Sequence, residues 1–244
     1  MASDHFSTQS AAYAQFRPRY PAVLFDWLAA QVDEREAAWD CACGSGQATD
    51  ELAARFAHVT GTDLSAAQLA HARSLPNVTW RVAQAEDSGL ETGSADLITV
   101  AQALHWFDLS RFWVEARRVL RRGGVLAVWS YGVFQVDDPR IEAVCAHFYE
   151  HVVGGFWPPE RRIVEAGYAS LQFPFQEIAA PEFEMQVEWS LDELLGYVSS
   201  WSATTRCTQH HGCSPIPELR QQLAPLWRQE RIGVRWPLSI RAGR

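Results

Sequence analysis

Between residues 37 and 129, short apolar runs alternate with segments of helical spacing, and few architectures accommodate that rhythm. Strands are predicted over 37–42, 58–63, 78–83, 96–101 and 124–129, with helices over 48–56, 66–74 and 112–120. Strand, helix, strand in sequence closes as a right-handed parallel crossover, so the repeat predicts an α/β fold with a parallel sheet and helices on both faces. Ahead of it, residues 22–28 have helical spacing, with Pro21 at a first-turn position. After Ser130 the rhythm breaks. Residues 141–153 read as helix, 154–159 as loop and 183–189 as a strand. Ser190-Leu191-Asp192-Glu193 reads as a capping box opening another helix. A helix over 217–228 and a strand over 234–241 complete the reading. No repeat, low-complexity tract or linker divides the 244 residues, a length that suits one domain with a modest insertion. The expected organisation is a single domain over 1–244, with a helical insertion over 131–230 that follows the fifth strand.

The charge balance narrows the partners. A net charge of −8 argues against nucleic acid, which normally demands a basic face. No apolar run reaches the length of a membrane span, and Met1-Ala2-Ser3-Asp4-His5 lacks the basic-then-apolar pattern of a signal peptide. A cytoplasmic protein, monomer or homodimer, is the expectation. Five cysteines, an odd number, fit reduced thiols better than a disulfide framework.

The richest stretch in chemistry is Asp40-Cys41-Ala42-Cys43-Gly44-Ser45-Gly46-Gln47, at the end of the first strand. Gly44 and Gly46 allow a tight turn and let the backbone approach a ligand without a Cβ in the way. The second strand ends in Asp63, followed by Leu64 and Ser65. A carboxylate there can accept both hydroxyls of a ribose, as in Rossmann-type nucleoside sites; a helix-capping Asp is the plainer alternative. A dinucleotide site is the rival reading, because Gly44-x-Gly46-x-x-Thr49 approaches G-x-G-x-x-G. Two residues count against it. Thr49 stands where the third small residue belongs, and Asp40 would bring an anion close to a pyrophosphate. A sulfonium ligand with a free amino group would welcome that carboxylate instead.

These motifs continue with Ala85-Glu86-Asp87 and with Ala101-Gln102-Ala103-Leu104-His105-Trp106-Phe107. In order, spacing and strand position the set resembles the class I S-adenosylmethionine-dependent methyltransferases, and is most similar to the small-molecule branch that contains the trans-aconitate methyltransferases. The segments Tyr13 to Pro21 and Trp236 to Arg241 share that likeness. The resemblance implies a Rossmann-like sheet of seven strands with the last antiparallel, S-adenosyl-L-methionine as cofactor, and a small-molecule acceptor, a carboxylic acid among the candidates. It also implies roles: Asp40 with Ala42, Gly44 and Gly46 for the methionine portion, Asp63 for the ribose, and Leu64 for a face of the adenine. Ala85 and Glu86 would meet the adenine edge, and Ala101 with Gln102 the methionine end. Ala42 departs from the family pattern, which has glycine there; a methyl is tolerable if φ is negative.

For the acceptor, His105 is the candidate base or contact, with a structural histidine as the alternative. Trp106, Tyr131, Trp157 and Trp201 are candidates to line the acceptor pocket, although any of the eleven tryptophans can equally fill core. The segment 1–21 is expected to form a lid, with Tyr13 and Arg17 at the cofactor; Arg17 and Arg19 are not ranked as carboxylate binders. Cys207-Thr208-Gln209-His210-His211-Gly212-Cys213 lacks zinc-ligand spacing, so no metal is expected. Besides methyl transfer, a nucleotide-dependent oxidoreductase and a non-catalytic S-adenosylmethionine-binding module stay open at this level.

Overall fold

The sheet grows outward from its most buried strand. In the computed structural model, which describes residues 18–244, β4 (Ala95–Ala101) is buried over its first six residues, as a strand covered on both faces must be. It lies between β1 (Ala37–Cys41) and β5 (Leu120–Tyr131), parallel to both. Next to β1 come β2 (His58–Asp63) and β3 (Val78–Val82), again parallel. α1 (Ala22–Ala29) precedes β1, and α2 (Gln47–Ala53), α3 (Ala66–Leu69) and α4 (Leu109–Val119) run between the strands. Successive strand residues point to opposite faces, and both faces are covered. Leu24, Phe25 and Leu28 of α1 and Leu52 of α2 pack on one; Phe112, Ala116 and Val119 of α4 pack on the other.

Beyond β5 the chain forms β6 (Gln135–Val136), α5 (Pro139–His147), a π-helical turn over Phe148–Val152, and α6 (Arg161–Glu165). There follow β7 (Glu177–Ile178), β8 (Phe183–Trp189), α7 (Leu191–Ser199), α8 (Ser202–His211), α9 (Ile216–Leu223) and β9 (Ile232–Gly243). β9 pairs antiparallel with β5, β6, β7 and β8, so it alone runs against the other strands. The expected antiparallel last strand is present. Among the described residues the sheet has nine strands rather than seven, because two-residue β6 and β7 add to the edges of the long β9.

Other differences have local causes. The helix expected over 66–74 stops at Leu69: none of its residues is buried, so no packed face stabilises a longer helix, and Pro76 follows. β5 begins at Leu120 instead of 124, through a bulge at Gly123–Gly124 where φ of Gly123 is +84°. The helix over 141–153 becomes an α-helix that relaxes into a π-turn closed by Val153 N–H to Phe148 O. The helix over 217–228 is confined to Ile216–Leu223. The capping box is formed as read, with Ser190 and Glu193 exchanging hydrogen bonds. Among the described residues no helix is long and apolar enough to cross a membrane.

Candidate functional site

The parallel strands β1, β2, β4 and β5 all end on one side of the sheet, and the candidate residues gather there. The turn after β1 is held to β2 twice: Cys43 N–H donates to Thr62 O at 2.9 Å, and Gly44 N–H donates to Asp63 Oδ2 at 2.8 Å. Asp63 Oδ1 accepts from Ser65 N–H at 2.8 Å, and the Ser65 hydroxyl in turn caps α3. The Asp63 carboxylate is half-buried, its two bonds both come from backbone, and each oxygen keeps a lone pair for a further donor. Leu64 stands just beyond it, 56% exposed.

The two glycines of the turn differ. Among the described residues a Cβ on Gly44 would meet nothing nearer than Gln68 Oε1 at 4.0 Å, so that α-carbon borders space that those residues leave open. A Cβ on Gly46 would lie 2.5 Å from the Trp80 ring, which also fills the space left by Gly61. Gly46 is therefore required by indole packing and by its φ of +89°. At Ala42 the condition of a negative φ is not met: its φ is +54°, so it keeps the left-handed backbone of the glycine it replaces. A non-glycine residue there costs about 1–2 kcal/mol.

Asp40 departs most from expectation. It is 0% exposed, with Oδ2 accepting from the Thr49 hydroxyl at 2.5 Å and Oδ1 from the Thr99 hydroxyl at 2.9 Å. Burial raises its pKa to about 6 against the opposing hydrogen bonds from Thr49 and Thr99. Its carboxylate thus braces the first turn of α2 against β4 from behind. Any influence on the methionine portion of a ligand passes through that turn and through its charge. Thr49, conspicuous in the sequence for not being glycine, is the residue that makes the brace.

At the end of β4, Gln102 adopts φ +57°, donates from Nε2 to Tyr131 O at 2.9 Å, and ties its own N–H to Trp129 O. Its Oε1 is buried and accepts no hydrogen bond among the described residues. Ala101 is half-buried and Ala85 buried. Glu86 accepts the Asp108 N–H at 2.8 Å, which joins the loop after β3 to the start of α4. His105 lies in a 3₁₀ turn (Leu104–Trp106), its ring 4.7 Å from that of Trp106, which is 43% exposed. His105 Nδ1 is 3.1 Å from the Tyr168 hydroxyl. Burial, helped by the charge of Arg161, lowers its pKa to about 4. At neutral pH it is an uncharged and weak base, so of the two roles expected of it contact with an acceptor fits better than proton removal.

The aromatic candidates divide. Trp157 and Trp201 stack at 5.5 Å, and Tyr149 packs on both at 5.0 and 5.6 Å. Arg161 lies over Trp157 at 4.8 Å and donates from Nε to the Tyr149 hydroxyl and to Glu165. The Trp157 indole nitrogen is buried with no acceptor among the described residues. Tyr131 is buried instead beside Tyr20, which itself sits edge-on to Trp129 at 5.5 Å. Tyr13 and Arg17, and most of the expected lid, lie outside the described residues. Cys207 is buried in α8 while Cys213 is exposed, and no three potential metal ligands converge among the described residues.

Arg161, Tyr149 and Tyr168 escaped the sequence reading. Gly167, which ends α6, was the one visible hint of a tight turn delivering Tyr168. Thr99 gave no signal inside an unbroken strand pattern.

Residues 39–128 match a family model described as a methyltransferase domain. A protein of Dictyostelium discoideum described as a methyltransferase is 35% identical over 245 residues, spanning 97% of this chain and 93% of that protein. The trans-aconitate 2-methyltransferase of Deinococcus radiodurans is 38% identical over 155 residues, 59% of this chain and 57% of its own. A solved structure from Anaeromyxobacter dehalogenans, described as a type II methyltransferase, superimposes with a TM-score of 0.89 at 46% identity, covering 93% of this chain and 97% of its own.

Proposed function

We propose, since this chain belongs to the class I S-adenosylmethionine-dependent methyltransferases, that it methylates an oxygen of a small carboxylic acid held near His105. The observation that carries the donor half is the Asp63 carboxylate clasping the Gly44 N–H beside open space. Two further features fit S-adenosylmethionine. Asp63 has lone pairs left for the ribose hydroxyls, and the orphaned Gln102 Oε1 offers an acceptor to the ammonium of the methionine end. Asp40, when ionised behind the turn, favours a cationic ligand. Leu64, Ala85 and Glu86 surround the expected adenine position, and Tyr13 and Arg17 would close over the cofactor.

The chemistry supplied by bound S-adenosylmethionine is an activated methyl carbon: the acceptor's oxygen lone pair forms the new C–O bond while the C–S electron pair returns to sulfur. An ionised carboxylate already carries that lone pair, so the protein need not remove a proton. What its residues must do is align oxygen, carbon and sulfur and exclude water, and positioning alone can supply roughly 7–11 kcal/mol. His105, Trp106, Trp157 and Trp201 would form the acceptor side, with Tyr131 holding the end of β5 behind them. Support for an anionic acceptor comes from the donors gathered there, Arg161 and the Trp157 indole N–H.

Incubation with methyl-labelled S-adenosylmethionine and a panel of small carboxylic acids, trans-aconitate among them, together with small amines and phenols tests this reading. A labelled methyl ester is the expected product. Label appearing only in amines or in phenols would contradict the carboxylate assignment.

A further inference from the structure

We propose that Tyr168 is a positioning residue that fixes His105 as a hydrogen-bond donor at Nε2, so that the imidazole holds an anionic acceptor and takes no proton from it. Only the final clause rests on the methyl-transfer reading above; the state of the imidazole is argued from its hydrogen bond and its burial.

Tyr168 is held in place by unusual backbone. Gly167 and Tyr168 are consecutive left-handed residues, with φ of +59° and +61°. A Cβ at Gly167 would lie 2.5 Å from Ser239 Oγ, so the chain leaves α6 pressed against β9. Tyr168 N–H bonds back to Ile163 O at 3.1 Å, and Tyr168 O accepts from Arg241 Nη1 at 3.2 Å. A bulky side chain adopts positive φ only where its surroundings compel it, and such strain collects at functional positions. Ala42, Gln102 and Tyr168 are the non-glycine residues with positive φ among the described residues, and each lies at or directly behind the site. The strain at Tyr168 delivers a fully buried phenol to His105.

Proton accounting then settles the imidazole. The phenol oxygen already interacts with the Leu104 backbone, which leaves its own proton to be placed. His105 Nδ1, 3.1 Å away, is the acceptor that the structure provides for it. The opposite arrangement, with Nδ1–H donating to the phenol, would leave a buried hydroxyl proton with no acceptor among the described residues, which is costly. With Nδ1 bare and the ring uncharged, the imidazole proton resides on Nε2. An Nε2–H group steadies a carboxylate oxygen but cannot accept a proton from an acceptor.

Nitrogen-15 spectra of histidine-labelled full-length protein test this without any acceptor, so failure here and failure of the methyl-transfer reading are separable. With the His105 signals assigned by their loss in His105→Gln, Nε2 is expected to be protonated and Nδ1 bare. In Tyr168→Phe the two signals should move toward the average of a free neutral imidazole. A protonated Nδ1 in the wild type, or an unchanged spectrum in a folded Tyr168→Phe, overturns the proposal. With an acceptor identified by the labelling panel, Tyr168→Phe should lower kcat/KM roughly tenfold at unchanged S-adenosylhomocysteine affinity. His105→Gln, which keeps an N–H donor but no base, should retain more turnover than His105→Ala; equal loss in both contradicts the donor role.

Discussion

The two halves of the site are built on different principles. At the ends of β1 and β2 the surface proposed to face the donor is made of backbone: the Gly44 N–H, the turn around it, and one carboxylate that clasps them. At the end of β4 and beyond, it is made of side chains from separate elements, with His105 from one loop, Tyr168 from another, and Trp157, Arg161 and Trp201 from a third region. A backbone-built site tolerates little local change, because its shape is set by φ angles and close packing. A side-chain-built site can be altered residue by residue without disturbing the sheet. That division suits an enzyme family in which the methyl donor is constant and the acceptor differs.

The comparison is most easily broken at Asp63. Its replacement by Ala removes the charged acceptor for the ribose and releases the Gly44 N–H. S-Adenosylhomocysteine binding, measured by titration calorimetry, should weaken by about 2–4 kcal/mol, or ~30-fold and more. Unchanged affinity in a folded variant would remove the strand end from the donor site.

Asp40 sharpens the same half through pH. Its pKa is raised to about 6, so the folded state holds the proton more tightly than the unfolded chain does. The penalty for burying its charge is absent below about pH 4, grows as pH rises through about 6, and can reach roughly 3 kcal/mol. Asp40→Asn should therefore gain stability relative to wild type between pH 4 and pH 7, measured by denaturant unfolding. S-Adenosylmethionine affinity should rise across the same interval in wild type and stay level in the variant. A stability difference independent of pH would mean that folding does not raise the pKa of this carboxylate.

The acceptor half should respond in the other sense and by less. His105→Ala, and Trp157→Phe, which keeps a ring but loses the indole N–H, should each lower turnover roughly tenfold while leaving S-adenosylhomocysteine affinity unchanged. Loss of donor affinity in both would show that the halves are not separable.

The same contrast explains what could be read from the chain before its structure. Strand ends, the glycine turn and Asp63 are local: each is signalled by neighbours within a few residues, and each lies where the alternation puts it. The Ser190 capping box is local too and forms as read. Backbone conformation at Ala42 is not legible in the sequence, because a residue type alone does not reveal a positive φ that tertiary packing imposes. Asp40 was placed in the cleft because nothing near it in sequence announces Thr99, its partner 59 positions away. Tyr168 meets His105 across 63 positions and depends on a left-handed turn after a five-residue helix. Short β6 and β7 exist only because β9 is long enough to offer spare edge.

The central claim, that backbone at the ends of β1 and β2 holds the donor while side chains beyond β4 hold the acceptor, is tested most directly by a crystal structure with S-adenosylhomocysteine bound. The ribose hydroxyls are expected on Asp63, the amino-acid end at Gln102 Oε1, and the sulfur facing His105. A ribose bound away from Asp63, or a sulfur turned away from His105, would contradict it.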